Sequence, residues 1–227
     1  PPAATDAETG PVGEDFFIAS DLPITRMATI DLDPTDGHDE VVTVFGPRLQ
    51  WLGVEDVGDP ASALVVHGEV ALPVGLGEAT TIEAYARFIN VADVDGDGFD
   101  DVIVAGLGEL AILWNDPGDD GRTLTLTALE LSCDDDEHAT AIAMALSSSV
   151  APLQIDGDPA HELALATTAG ILVADFSGRE LLRACPIDIA PIGANEIAAG
   201  DFDGDGIDDL ATGSELGLQI FKGVAAP

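Results

Sequence analysis

One acidic motif, flanked on both sides by apolar segments, recurs along the chain. Two copies are complete, at Ile89–Gly106 and Ile197–Ser214. A third copy, Ala28–Gly46, carries a single inserted residue, and a fourth, Pro152–Thr168, has diverged by substitution. The loops begin at residues 31, 93, 154 and 201, which gives spacings of 62, 61 and 47 residues. Self-similarity at such a period is typical of repeat folds, in which each unit buries apolar surface against its neighbours.

Every unit shows the same predicted strand pattern. An alternating apolar segment leads into the acidic loop, and an apolar run such as Val102–Ala105 leads out of it. A glycine-bounded turn and two more strand-like segments complete each unit. Four short strands per unit predict an all-β fold, a β-propeller of four-stranded blades. We expect about four blades, which form either a small ring or part of a larger propeller.

The first fifteen residues differ in composition from the rest. Residues 1–15 are rich in Pro, Ala, Thr and acids, which is typical of a linker or of a tether behind a removed targeting segment, such as a lipoprotein spacer. Residues 16–227 hold the predicted propeller, with repeat loops near 31–40, 93–101, 154–162 and 201–209. We find no apolar run long enough to span a membrane as a helix.

Acidic residues greatly outnumber basic ones, with 43 Asp and Glu against 7 Lys and Arg and a formal net charge of −36. Such a surface repels nucleic-acid phosphates and anionic lipid head groups, so neither is an expected partner. The same surface attracts cations. Clustering of the acids in the repeat loops favours metal binding, while solubility at high salt is an alternative source of part of the charge.

Carboxylates at loop positions 1, 3, 5 and 9 make the two complete loops candidate calcium sites. A glycine at position 6 permits a positive-φ turn, and the backbone carbonyl at position 7 supplies a further oxygen. Several hard oxygen donors of high charge suit Ca²⁺ better than Mg²⁺, which tends to keep its waters. The candidate ligands are Asp93, Asp95, Asp97, Phe99 and Asp101 in the second unit, and Asp201, Asp203, Asp205, Ile207 and Asp209 in the fourth.

The other two loops depart from the complete pattern. The first has one inserted residue, and its candidate ligands are Asp31, Asp33, Asp36, His38 and Glu40. We expect it to bind calcium with an altered geometry. In the third loop Gln154 replaces the first Asp and Pro159 replaces the turn glycine, which leaves Asp156, Asp158 and Glu162. We expect that site to be weak or empty.

Two alternatives would explain the acidic loops differently. An EF-hand requires a bidentate Glu at position 12 and flanking helices, whereas here position 12 is Val104 or Thr212 and the flanks alternate like strands. The second alternative is a set of acidic surface turns without metal, which two complete copies before apolar strands disfavour.

At these residues the chain resembles the FG-GAP (VCBS-type) repeat family, which includes the propellers of integrin α-subunits. The motif DxDGDGxxD followed by an apolar strand carries the resemblance, which extends from about residue 16 to 223. It implies four-stranded blades with Ca²⁺ held in the hairpin loop between the first two strands, by the residues named above. Propellers of that family commonly have seven blades, whereas this chain has room for about four.

Cys133 and Cys185 permit one disulfide if the chain is exported, and two free thiols are the alternative. We expect an extracellular, cell-surface or periplasmic location.

Evidence for catalysis in the sequence is sparse, so we expect a binding protein and not an enzyme. The histidines are scattered, at positions 38, 67, 138 and 161, and no nucleophile motif surrounds Ser147–Ser149. The first hypothesis is a protein-interaction, adhesion or structural assembly module. The second is a carbohydrate-binding propeller, for which Trp51 and Trp114 are candidate platforms, although a repeated packing position explains them better. The third is an accessory domain of a polysaccharide-acting enzyme.

Overall fold

The computed structural model describes residues 24–54, 64–73, 88–106, 110–116, 123–129, 149–167, 170–186, 196–214 and 217–223. These residues form fifteen β-strands and no helix. Each run of strands folds into an antiparallel sheet in simple chain order, so that neighbours in sequence are neighbours in space. The prediction of an all-β fold made of four-stranded blades is confirmed.

Four sheets follow one another along the chain, and we call them blades 1 to 4. Blade 1 contains β1 (Ile24–Ile30), β2 (Glu40–Phe45), β3 (Arg48–Val54) and β4 (Leu64–Ala71). Blade 2 contains β5 (Phe88–Ala92), β6 (Asp101–Ala105), β7 (Leu110–Asp116) and β8 (Thr123–Leu129). Blade 3 contains β9 (Ser149–Leu153), β10 (Glu162–Thr167), β11 (Gly170–Ser177) and β12 (Glu180–Pro186). Blade 4 has three described strands, β13 (Glu196–Gly200), β14 (Asp209–Ser214) and β15 (Gly217–Phe221).

All four acidic loops occupy the same place in their blades, between the first and second strands. The register repeats as well: Asp101 pairs with Ala92 across the second loop, and Asp209 pairs with Gly200 across the fourth. The first strands of consecutive blades lie side by side, β1 next to β5, β5 next to β9 and β9 next to β13. The acidic loops therefore gather along one edge of the blade stack.

The core lies between blades and not within them, because blades 2 and 3 each bury both faces of their sheets against their neighbours. We call the face toward the preceding blade the first face and the opposite one the second face. Val42 and Val44 on the second face of blade 1 pack with Val102 and Val104 on the first face of blade 2. The same alternation joins blade 2 to blade 3 and blade 3 to blade 4. This is why the second strand of a blade reads as a continuous apolar run.

Some sequence predictions fall outside the described residues. The linker at residues 1–15 and Cys133 lie there, and the structure does not describe the side chain of Cys185 in β12. The linker and the disulfide therefore stay predictions. Among the described residues, no helix has the length and apolar character that a membrane crossing requires.

Candidate metal centres

The second loop is folded around the carboxylate at its first position. Asp93 Oδ1 accepts the backbone N–H groups of Gly96 at 2.7 Å and Asp97 at 3.1 Å. Asp93 Oδ2 accepts the N–H of Gly98 at 2.9 Å. This wrapping requires φ of +74° at Gly96 and +91° at Gly98, a region that favours glycine. The glycines of the motif are thus explained by loop geometry.

Carboxylates at positions 3 and 5 form short-range turns. Asp95 Oδ1 accepts the N–H of Asp97 at 3.2 Å, and Asp97 Oδ1 accepts the N–H of Phe99 at 2.9 Å. Burial and the neighbouring carboxylates of Asp95 and Asp93 raise the pKa of Asp97. The loop therefore concentrates negative charge that its own backbone amides only partly compensate.

The fourth loop repeats this arrangement atom for atom. Asp201 accepts the N–H groups of Gly204 at 2.6 Å, Asp205 at 3.1 Å and Gly206 at 2.9 Å. These amide donors lower the pKa of the Asp201 carboxyl. Asp205 Oδ1 accepts the N–H of Ile207 at 3.1 Å, as Asp97 does for Phe99. Two sequences 108 residues apart thus adopt one geometry.

The carboxylate at position 9 is buried and holds two parts of its blade together. Asp101, which is fully buried, accepts the N–H of Val94 at 3.0 Å and that of Asn115 at 2.9 Å. Burial raises its pKa to about 7. Asp209 likewise accepts the N–H of Phe202 at 3.1 Å and that of Gly223 at 2.8 Å. The second donor in each case follows position 9 by fourteen residues, a spacing that sequence reasoning missed.

Three carboxylates converge in each of three loops, with candidate ligand oxygens within 4.8 Å of one another. The groups are Asp93, Asp95 and Asp101; Asp201, Asp203 and Asp209; and Asp156, Asp158 and Glu162. Asp97 and Asp205, the position-5 residues, are not members of these groups. A cluster of hard, charged oxygens fits Ca²⁺, which coordinates six to eight oxygens, so the residues present suit the predicted ion. Phe99 and Ile207 would contribute through their backbone carbonyls.

No such group forms among the described residues of the first loop, which carries the inserted residue. Asp33 Oδ1 accepts the N–H of Thr35 at 3.0 Å, and Asp36 Oδ1 accepts that of His38 at 2.9 Å. Buried Glu40 keeps the position-9 contact, accepting the N–H of Leu32 at 3.0 Å. Asp31 Oδ1 is buried without a hydrogen-bond partner. A buried carboxylate oxygen of this kind is a place where a cation would be favoured.

In the third loop a neutral amide replaces the first carboxylate and makes contacts that no carboxylate can make. Gln154 Oε1 accepts the N–H groups of Asp156 at 3.3 Å and Gly157 at 2.8 Å, as the Asp does elsewhere. Gln154 Nε2 donates to the carbonyl of Ala160 at 3.0 Å and also to that of Asp158. Ala160 stands at position 7, whose carbonyl is the expected ligand in the complete loops. The side-chain amide therefore occupies an oxygen that an ion would use.

Basic side chains approach both complete loops. Arg179, in the β11–β12 turn of blade 3, donates Nε to Asp95 Oδ2 at 2.8 Å and forms a bidentate pair with Asp116 at 2.6 and 3.0 Å. Its guanidinium also lies 5.5 Å from the ring centroid of Trp114. In blade 4, Lys222 contacts Asp203 and lies 3.1 Å from Asp205. Lys222 is the one lysine in the sequence.

Hydrogen bonds also link the acidic loops of neighbouring blades. The N–H of His161 donates to the carbonyl of Asp93 at 2.9 Å, and its ring Nδ1 lies 2.9 Å from the same oxygen. The N–H of Asp208 donates to the carbonyl of Gln154 at 3.0 Å, and Gln154 N donates to Asp208 Oδ2 at 2.8 Å. The third loop therefore joins the second to the fourth. No local sequence pattern predicts these contacts, because they cross blades.

Trp51 and Trp114, the candidate sugar platforms, are both buried, at 6% and 2% exposure. Trp51 lies so close to Gly68 that a Cβ there would fall 2.0 Å from its ring. Trp114 packs edge-on to Phe176 and donates Nε1–H to Thr127 Oγ1 at 3.0 Å. Both tryptophans are packing residues of third strands.

Repeated antiparallel blades with an acidic hairpin loop at one edge define a β-propeller assembly. Residues 193–219, which include the fourth loop, match the family model described as FG-GAP repeat. The resemblance to the FG-GAP repeat family is therefore confirmed. No curated protein sequence matches the chain.

Solved structures that share this fold include BBS1N and a lectin. BBS1N, crystallised in complex with ARL6DN and soaked with lead, aligns at 15% identity and a TM-score of 0.52, covering 89% of this chain and 58% of its own. An Agrocybe aegerita lectin that recognises non-reducing terminal N-acetylglucosamine aligns at 18% identity and a TM-score of 0.55, covering 86% and 48%. The chain spans about half the length of these structures. At these identities the likeness concerns the fold alone.

Proposed function

We propose that the chain is a calcium-binding β-propeller module that works outside the cytoplasm in protein interaction, adhesion or structural assembly. The observation that carries the proposal is the repeated geometry of the second and fourth loops. In each, three carboxylates converge within 4.8 Å of one another around a backbone wrapped on the position-1 Asp. A cluster of this kind is a ligand set for a cation, so we propose a binding role and not a catalytic one.

Calcium would stabilise each hairpin loop. Bound ions would neutralise carboxylates that repel one another and would link positions 1 and 3 to position 9, which is already fixed to the blade. A chain carrying a net charge of −36 gains most from such neutralisation. Extracellular calcium is abundant enough to fill sites of modest affinity, which agrees with the expected location.

Calorimetric titration of chelator-treated protein with Ca²⁺ tests the proposal. We expect two strong sites per chain, from the second and fourth loops, and weaker binding by the first. Mg²⁺ serves as the matched control and should bind far more weakly, because it demands near-ideal octahedral geometry and gives up its waters reluctantly. Absence of saturable calcium binding would contradict the proposal.

Carbohydrate binding is the second candidate function, because the fold is shared with a lectin that recognises terminal N-acetylglucosamine. Burial of Trp51 and Trp114 removes the platforms that the sequence suggested. Among the described residues, Phe202 is the one aromatic side chain in the set of exposed large apolar residues. A glycan array with the calcium-loaded protein tests this candidate. Retention of a terminal sugar that is lost in Phe202→Ala would support it.

A further inference from the structure

Two blade faces in the described structure have no blade packed against them. They are the second face of blade 4 and the first face of blade 1, which we call the trailing face and the leading face. Seven large apolar side chains are exposed in the described residues, and six of them lie on these two faces: Phe202, Leu218, Ile220, Ile24, Met27 and Val66. The seventh is Leu182 on β12. Exposed apolar surface concentrated in this way marks an interaction site.

Residues of the trailing face are equivalent to residues that are buried in blade 2. Leu218 pairs with Gly213 as Leu110 pairs with Ala105, and Ile220 pairs with Ala211 as Ile112 pairs with Ile103. Leu110 and Ile112 are fully buried against blade 3, whereas Leu218 is 74% and Ile220 is 55% exposed. Phe202, at loop position 2, is 51% exposed, whereas Val94 at that position in blade 2 is fully buried. The trailing face therefore has the chemistry of a blade-to-blade interface without its partner.

The leading face shows the complementary situation. Met27 pairs with Thr43 as Ile89 pairs with Val104, and Val66 pairs with Leu52 as Leu126 pairs with Leu113. In blade 2 those residues pack against blade 1, whereas in blade 1 Met27 is 63% and Val66 is 43% exposed. Arg48, Gln50 and Glu69 form a polar network on the same face, with Gln50 Nε2 donating to Glu69 at 2.7 Å.

We propose that a second copy of this chain covers these faces, with the trailing face of each copy packed on the leading face of the other. The two faces are the two halves of one interface type, which already occurs three times between consecutive blades. Two such contacts related by a two-fold axis close on themselves and give a ring of eight blades without an open end.

Charge sets the conditions for this pairing. Two chains of net charge −36 repel each other, so the pair should tighten as ionic strength rises toward about 0.15 M and above. The inference depends on the blade faces, while the proposed function depends on the loops, so each can fail separately.

Sedimentation velocity on the calcium-loaded chain tests the pairing. We expect a species of twice the 23.2 kDa chain mass at micromolar concentration. Leu218→Asp on the trailing face and Met27→Asp on the leading face should each give the monomer, with the dissociation constant raised at least about tenfold. Leu182→Asp is the matched control, since Leu182 is 55% exposed but lies on neither end face, and it should leave the dimer intact.

A mixing experiment makes the test specific for the head-to-tail arrangement. The Leu218→Asp chain keeps its leading face and the Met27→Asp chain keeps its trailing face, so an equal mixture should recover a dimer through one intact contact. Circular dichroism of each variant checks that it is folded. A wild-type monomer, an open series of larger oligomers, or variants that keep the wild-type mass would each overturn the proposal. A dimer that forms without any calcium binding would instead contradict the proposed function alone.

Discussion

The second and third loops adopt one backbone shape with two different chemistries at position 1. In the second, the Asp93 carboxylate accepts backbone N–H groups and, having no N–H of its own, cannot donate to the carbonyl oxygens of the loop. In the third, the Gln154 amide accepts the same kind of N–H groups and also donates to the carbonyls of Asp158 and Ala160. The amide therefore accepts N–H groups, as a carboxylate does, and also contacts a carbonyl oxygen, as a bound cation would. A neutral side chain can thus hold this loop in a shape that we expect an ion to stabilise in the second loop.

This difference shows that loop shape and metal demand can be separated. Both loops fix position 9 by a buried carboxylate that accepts the N–H of position 2, from Val94 in one and Ile155 in the other. Burial raises the pKa of Asp101 and that of Glu162 to about 7. The position-9 acid is therefore structural in both loops, and we expect position 1 to decide how strongly each loop depends on an ion.

The largest expected effect comes from position 9. Asp101→Ala removes the acceptor of two buried N–H groups and should lower the free energy of unfolding of the metal-free protein by about 3 kcal/mol. Glu162→Ala should cost about half of that, because among the residues that the structure describes Glu162 accepts one N–H group of another residue, that of Ile155 at 3.2 Å. Urea unfolding in a chelator measures both, and Asp101→Asn, which keeps one acceptor, should fall in between. Equal losses in the two loops would contradict the structural difference.

Position 1 should give the next effect, and only when calcium is present. At a concentration of 100 times the dissociation constant, each site stabilises the fold by about 2.7 kcal/mol. Asp93→Ala should lose that contribution and one bound ion per chain, whereas Gln154→Ala should leave the number of strongly bound ions unchanged. Calorimetric stoichiometry and melting with and without calcium provide the measurement. If Gln154→Ala also removed an ion, the third loop would be a calcium site.

The stability of the protein should also depend on pH through the position-9 acids of the two loops. Asp101 and Glu162 hold protons in the folded state that the unfolded chain has already released, because their pKa values are raised from 3.8 and 4.5 to about 7. Stability in a chelator should therefore fall as pH rises from about 4 to about 7. Saturating calcium should reverse the slope, because binding requires ionised ligands.

Scanning calorimetry across this range, on Asp101→Asn and Glu162→Gln, assigns the slopes to their loops. Glu162→Gln should flatten the slope in a chelator and leave the calcium-dependent slope in place. Asp101→Asn should change both. A calcium-dependent slope that needs Glu162 would contradict the assignment of ion binding to the second loop.

The smallest expected effect concerns the lysine beside the fourth loop. Lys222 competes with an ion for Asp203 and Asp205, so Lys222→Gln should tighten calcium binding at that loop by about two- to fivefold. Lys222→Arg, which keeps the charge, is the control and should leave the affinity near that of the wild type. Weaker calcium binding in Lys222→Gln would contradict competition.

Much of the fold could be predicted because the strands and turns of each repeat follow from local sequence patterns. Alternation before Asp93 and the apolar run after Asp101 specify strands, and Gly96 and Gly98 specify a left-handed turn, whatever lies around them. The contacts of Arg179 and His161 with the second loop could not be predicted in this way. They join blades more than 60 residues apart in sequence, and no local pattern encodes such a pairing.

The blade pattern, the position of the acidic loops and the chemistry of their candidate ligands follow from the sequence, because strand alternation and tight turns depend on neighbouring residues. Tertiary structure decided which residues face a partner. Leu110 and Leu218 are leucines at equivalent positions of blades 2 and 4, yet Leu110 is fully buried and Leu218 is 74% exposed. Burial is a property of what packs on a face, and that is set by the arrangement of blades in space.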